Sequence, residues 1–295
     1  MRSPARLAAL LQATTALTIV LVVWGGVVRL SGSGLAIPDW PLAEGRLLPR
    51  PHPNVLIEYG HRFLAMLVGL MTTGAAVLIL RRREWRARLG WLAVGSVVTI
   101  VLQILLGARV VLDELAVDRV VGHLLLAFTL FALLVKMTLR AQELDRPAEG
   151  TSDPRARRLA HFARVAAGAV FLQAGLGAWV SSSGASLACP DFPTCQGSWL
   201  PPMVGLVGIH YAHRLGAYAV VAIVLGILAA SVAVPLPPRA RWPLRFSGIL
   251  LAIQFLLGVG NVLLGVPLPV SAAHLGTALI LFGTLLVAAH ELSRG

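Results

Sequence analysis

Four histidines carry the chemistry open to this sequence: His61, His123, His213 and His274. Each lies inside an apolar stretch long enough to cross a bilayer, where an ionisable side chain is costly and by default marks a functional site. The first falls in "EYGHR" at 58–62 and the third in "HYAHR" at 210–214, so one phrase is written twice, with Glu58 exchanged for His210. A lone intramembrane imidazole reads most simply as a buried ring bonded to a carbonyl. These four come in matched pairs, about four to nine residues inside the same ends of their spans, roughly 6–13 Å deep at about 1.5 Å per residue. Two imidazoles projecting inward from facing helices are how a bundle holds a haem iron. A non-haem metal would want carboxylates or further histidines beside each pair, and only Glu58 and His210 stand there, one per pair. Arg62 and Arg214 directly follow His61 and His213. Because a guanidinium forks onto a carboxylate, both are candidates for haem propionates, with snorkelling to the interface as the alternative. His52, His161 and His290 fall in a loop or at span ends and call for no more than a surface role.

The elements that must position these residues are membrane spans. The chain has 295 residues, 57% hydrophobic and 13% charged, against about 25% charged in soluble domains. Apolar stretches run over roughly 12–30, 57–80, 89–111, 120–139, 162–181, 204–232, 247–266 and 269–289, each near the roughly 20 residues needed to span. The last two are divided at the short "GVPLP" turn, which makes eight. The N-terminal apolar run is too long for a signal-peptide core and reads as a retained first span. Net charge is +12, but its distribution rules out a nucleic-acid footprint. Arginines fill the connections after the second, fourth and sixth spans and precede the first, which is the positive-inside bias. Both termini are then expected in the cytoplasm, and the histidines near the outer face.

The chain is a duplication. Shifted by 152 residues, "SGSGLAIPDWPLAEG" at 31–45 falls on "SGASLACPDFPTCQG" at 183–197, and Tyr59, His61 and Arg62 fall on Tyr211, His213 and Arg214. Shifted by 151, Gln103 falls on Gln254, Gly107 on Gly258 and His123 on His274. The expected fold is all-α and integral to the membrane. Eight helices form two tandem four-helix bundles, related by a pseudo-two-fold axis along the membrane normal because an even helix count gives both repeats one orientation. The N-terminal half spans 1–140, a polar cytoplasmic linker 141–161, and the C-terminal half 162–295. Long Pro- and Gly-rich outer loops at about 31–56 and 182–203 suit lids. Cys189 and Cys195 lie in the second loop, on the side where disulfides persist. They read as a disulfide, with free thiols or a stray metal site as alternatives, although two cysteines alone make a poor ligand set. Gly25, Gly26, Gly69, Gly107, Gly122, Gly177, Gly216, Gly258 and Gly276 either let helices approach closely or make room for a flat macrocycle.

The paired His-Arg helices, the loop "GSGLAIPDWPLAEGRLLP", the "E..HR" motif and the Cys pair of the second loop resemble haem A synthase, from Trp24 to His274. The resemblance implies oxidation of a ring methyl of haem O to the formyl of haem A. It places the substrate haem in the N-terminal half, between His61 and His123 with Arg62 nearby. It places a resident haem b in the C-terminal half, with His213 and His274 as axial ligands. It gives Glu58 a part in the chemistry, one helical turn from His61 on the same face. The alternative for Glu58 is an interfacial carboxylate paired with Arg62. Implied partners are haem O, membrane lipid, a haem O synthase and an electron donor, in a bacterial plasma membrane, as a monomer or an oligomer. Many members carry a second Cys pair in the first loop; Ile37 and Ala43 occupy those places here. Two other classes fit the four histidines: a dihaem b-type cytochrome, and a haem transporter or chaperone. The Glu58/His210 asymmetry and the long outer loops favour the enzyme.

Overall fold

A computed structural model describes residues 3–43, 45–46, 48–144 and 153–294. Among them are eight long α-helices, one 3-10 turn at Ala185–Leu187 and no β-strand. The helices are α1 (Pro4–Leu30), α2 (Pro53–Leu80), α3 (Arg83–Leu112), α4 (Val117–Ala141), α5 (Pro154–Ser182), α6 (Gly205–Ser231), α7 (Pro238–Leu263) and α8 (Leu268–Leu292). All eight are long and apolar enough to span a bilayer, with mean hydropathies between 1.4 and 2.3. The protein is an all-α, eight-span membrane protein.

The odd-numbered helices begin earlier than hydropathy implied. α1, α3, α5 and α7 start at Pro4, Arg83, Pro154 and Pro238, each in an arginine-bearing turn. Two physical reasons apply. Proline at the first helical turn gives up an amide that has no intrahelical partner anyway, as at Pro4 behind the Ser3 cap and Pro154 behind the Asp153 cap. Arginine side chains can also reach water from an interfacial turn while the helix continues below them. The expected linker 141–161 is therefore partly helical. Its ends belong to α4 and α5, and its middle, 145–152, lies outside the described residues.

The chain divides into two compact units, Met1–Pro147 and Ala148–Gly295. In the first, the helices pack in a ring, α1 on α2, α2 on α3, α3 on α4 and α4 on α1, so α2 and α4 are diagonal. In the second, α5, α6, α7 and α8 close a ring in the same way, with α6 and α8 diagonal.

Each unit is packed at its arginine-rich end. In the first, Leu7, Leu11, Ala75, Ile79, Leu89, Leu92, Leu134 and Met137 form one contiguous buried cluster. In the second, the fully enclosed residues include Ala160, Ala163, Ala240, Leu244, Leu279 and Leu285, again toward that end. The histidines lie at the other end, beyond this packing. There all four histidines are half-buried rather than fully enclosed.

Candidate functional site

His61 on α2 and His123 on the diagonal helix α4 belong to the first ring of four helices, and His213 on α6 and His274 on α8 stand on the diagonal helices of the second. Every ring also leans edge-first on a glycine of the odd-numbered helix beside it. A Cβ added at Gly25 would meet His61 Cε1 at 2.9 Å, one at Gly107 would meet His123 Cε1 at 3.0 Å, one at Gly177 would meet His213 Cε1 at 3.0 Å, and one at Gly258 would meet His274 Cε1 at 3.2 Å. Between the two readings of the glycines, these four are explained by an imidazole edge. Gly216 answers to a different neighbour, because a Cβ there would lie 2.2 Å from Gln173 Oε1.

Three glutamines also hold these rings, and sequence reasoning gave them no role. Gln173 Nε2 lies 2.9 Å from His213 Nδ1 and donates to the His213 carbonyl at 2.7 Å. Gln103 Nε2 lies 3.5 Å from His123 Nε2 and donates to the His123 carbonyl at 3.2 Å. Gln254 Nε2 lies 3.3 Å from His274 Nε2. The signal was in the sequence: "QILLG", "QAGLG" and "QFLLG" each place a glutamine one turn before a ring-facing glycine. The other ring nitrogen is left without a protein partner. Nδ1 of His61, His123 and His274 is buried and unpaired, which a native interior tolerates only for a reason.

The donor set fits a haem. Among the described residues no group of three or more His, Cys, Asp or Glu gathers to hold a metal ion. An iron that brings four nitrogens in its own macrocycle asks the protein for two axial ligands only. Each unit offers two imidazoles on diagonal helices, and Nδ1 of His61, His123 and His274 has no protein partner.

A family described as cytochrome oxidase assembly protein, COX15-CtaA, matches residues 8–286. The chain belongs to that family. Its relatives include proteins named "Heme A synthase". One, from Symbiobacterium thermophilum, is 38% identical over 72% of this chain and 71% of its own. One from Shewanella oneidensis is 29% identical over 94% and 93%, and one from Methylobacterium sp. (strain 4-46) is 32% identical over 91% and 87%.

In this COX15-CtaA member the two arginines, candidates for haem propionates, are bonded to the outer loops. The terminal nitrogens of Arg62 donate to the carbonyls of Asp39 (2.9 Å), Leu42 (3.2 Å) and Ile37 (2.8 Å). Those of Arg214 donate to the carbonyls of Thr194 (2.7 Å), Cys189 (2.8 Å) and Asp191 (2.8 Å). The physical reason is that an irregular loop folded onto a bundle carries carbonyls with no ladder to satisfy them, and a guanidinium can serve several at once. The two arginines are matched rivets that fasten each outer loop to the helix bearing a histidine.

Glu58 belongs to the first rivet. It is 3% exposed; its Oε1 accepts from Arg62 at 2.6 Å and its Oε2 from the Ile37 amide at 2.8 Å. At the matching place in the second unit the buried His210 donates through Nδ1 to the Ala185 carbonyl at 2.9 Å. The second loop is closed further by the Cys189–Cys195 disulfide, with Cα atoms 4.5 Å apart. A ring this short contributes about 2 kcal/mol in the chain-entropy account. In the first loop Ile37 and Ala43 occupy those positions and are buried against Val55 and Tyr59. Apolar packing stands where the covalent link would be. Each turn is also tied by an aspartate, Asp39 accepting from the Gly45 amide and Asp191 from the Gln196 and Gly197 amides. Of the remaining histidines, His52 caps α2 without a side-chain bond, His161 makes an edge contact with Phe162, and His290 sits in the last turn of α8.

Proposed function

We propose that the chain is a haem A synthase that oxidises a ring methyl of haem O to the formyl group of haem A. The observation that carries this reading is the pair of histidines on diagonal helices of each four-helix unit, in a chain whose relatives bear that name. Substrate haem O lies between His61 and His123. Haem b lies between His213 and His274 and, when bound, supplies one-electron chemistry to a donor or acceptor outside the chain. The arginine-rich ends and both termini face the cytoplasm of a bacterial cell, with the haem level toward the outer face of the plasma membrane.

Two asymmetries support substrate in the first unit and a resident group in the second. One is Glu58 against His210. A carboxylate one turn from His61 can hold or release a proton at Oε1 or Oε2, whereas His210 is committed to a carbonyl. The other is the flank of each ring. Phe192 meets Phe255 and Tyr218 meets Phe255 with ring centroids 6.0 and 6.5 Å apart, an aromatic cluster beside α6 and α7. The duplication places Trp40, Ile104 and Met66 at the corresponding positions, so the first unit lacks that cluster.

In this mechanism His61 and His123 hold the substrate iron, and Gly25 and Gly107 let their rings reach it. The Glu58–Arg62 rivet keeps the loop from Ile37 to Leu42 against the mouth and limits water there. Converting a methyl to a formyl removes four electrons and adds one oxygen, so protons must leave beside the reacting carbon, which is the role assigned to Glu58. The test is acid–acetone extraction and mass analysis of the haems that co-purify with the wild type and with Glu58→Ala. Haem B with haem O or haem A in the wild type, shifted toward haem O or a hydroxylated intermediate in the variant, is the expected result. Haem B alone, two per chain in both proteins, would refute the enzyme and leave a dihaem cytochrome.

A further inference from the structure

The first turns of α3 and the last turns of α4, at the arginine-rich end of the first unit, gather cations on an exposed surface. Lys136, the chain's one lysine, and Arg140 stand four apart on α4. Both converge on a single indole of α3: Lys136 Nζ lies 4.9 Å and Arg140 Cζ 5.8 Å from the centroid of the Trp91 ring. Like charges four apart on a helix repel, yet here they are fixed close together. Arg140 Nη1 donates to the Arg88 carbonyl at 3.2 Å, and Arg88 Nη1 donates to the Glu143 and Leu144 carbonyls, both at 3.2 Å. This exchange ties the start of α3 to the end of α4, and it uses only part of the five N–H donors that each guanidinium carries. Glu143 follows as the local acid, so Arg88, Lys136 and Arg140 keep the balance positive.

The same surface turns apolar deeper in the membrane. Lys136 lies five residues before the end of α4 at Ala141, about 7–8 Å inside it at about 1.5 Å per residue. Trp91 is exposed, and its face of α3 continues as Val94, Val98, Val101 and Leu105 at the spacing of one helical stripe, each about half exposed. Cations at the interface and an apolar track below match the two parts of an anionic phospholipid.

The second unit keeps the aromatic residue and drops the charge. Shifted by 151, Arg88 and Trp91 fall on Arg239 and Trp242, but Lys136 falls on Val287 and Arg140 on Glu291. Trp242 packs against Phe246, with ring centroids 4.3 Å apart. Anchoring at the membrane interface accounts for a tryptophan in both units. It does not account for two cations on one indole where the repeat has a valine and a glutamate.

We infer that this surface binds an anionic phospholipid in the leaflet at the arginine-rich end. The headgroup phosphate lies between Lys136 and Arg140 beside Trp91, and an acyl chain follows the stripe from Val94 to Leu105. Basic pockets between membrane helices recognise such headgroups. A zwitterionic lipid is disfavoured, because its own ammonium would be brought against two fixed cations. The inference is independent of the haem chemistry.

Native mass spectrometry of the full-length protein in mild detergent, titrated with dioleoyl-phosphatidylglycerol or dioleoyl-phosphatidylcholine, counts bound lipids and gives their affinities. The wild type should bind its first phosphatidylglycerol at least tenfold more tightly than phosphatidylcholine. Lys136→Gln, which leaves the Arg140–Arg88 bond in place, should weaken that first site roughly fivefold, and Lys136→Gln with Arg140→Gln roughly twenty-fivefold. Lys136→Arg should retain the site, as a role for charge rather than packing requires. Unchanged phosphatidylglycerol affinity in Lys136→Gln overturns the inference, whether or not the double variant folds. A site that takes inorganic phosphate as tightly as phosphatidylglycerol is a free-anion site, and a change of oligomeric mass on removing the cations marks a contact between copies. Either result overturns the assignment to lipid.

Discussion

Glu58 has two separable jobs in this structure, and two substitutions pull them apart. As a rivet it accepts one charge-assisted bond from Arg62 at 2.6 Å and one from the Ile37 amide at 2.8 Å, with its side chain 4% exposed. Glu58→Ala removes the first, worth about 1.5–3 kcal/mol, and strands a buried amide, at about 1–3 kcal/mol. Arg62 keeps its three loop carbonyls, so the lower ends apply and the sum is about 2.5 kcal/mol. At about 1.4 kcal/mol per tenfold, the loop should open roughly sixtyfold more often. Glu58→Gln keeps a carboxamide oxygen for the Ile37 amide and loses mainly charge, about 1 kcal/mol, or roughly fivefold. Hydrogen exchange of the amides between Ser33 and Arg46, in lipid nanodiscs, reads these openings directly. Formyl formation reads the second job: if Glu58 handles the proton, both variants stall, although only alanine frees the loop. A Gln variant that opens the loop as far as Ala does, or an Ala variant as protected as the wild type, would refute the rivet. A Gln variant with wild-type turnover would take Glu58 out of the chemistry.

Three further outcomes follow from the same geometry. His213→Ala or His274→Ala should lose the haem b absorption spectrum while the protein still inserts; a retained spectrum would reverse the assignment of the two units. Gly177→Ala, whose new Cβ would stand 3.0 Å from His213 Cε1, should reduce haem b occupancy, whereas Gly226→Ala, with nothing within 4 Å, should leave it unchanged; equal occupancy in both, by pyridine haemochrome, would dismiss the glycine seats. In the second loop the Thr194 hydroxyl, followed by the Gly197 amide, holds the Asp191 carboxyl down to about 2 from 3.8. A depressed carboxyl contributes stability that is present above its unfolded value and lost as pH falls toward the folded one. Protease resistance of residues 188–200 should therefore be flat above pH 4 and decline between about 4 and 2, a decline that Asp191→Asn should abolish.

Much of this protein is legible in one dimension. Lipid demands about twenty apolar residues per crossing and tolerates few charges, so eight spans, a sided arginine distribution and four misplaced histidines stand out without any structure. The duplication is equally plain, because identical polar residues recur at an offset of 152, as Ser31 on Ser183, that later becomes 151, as His123 on His274. The disulfide needed only two cysteines in one loop. What the tertiary structure decided is which group meets which. Helical periodicity says that Gly25 or Gln173 shares a face with its neighbours one turn away, but not that this face meets His61 or His213, since helix rotation and pairing are set by the whole ring of four. The partners of Arg62 and Arg214 were further from view. They are carbonyls of Asp39, Leu42, Thr194 and Cys189 in irregular loops, where no period relates a backbone oxygen to the side chain it will meet.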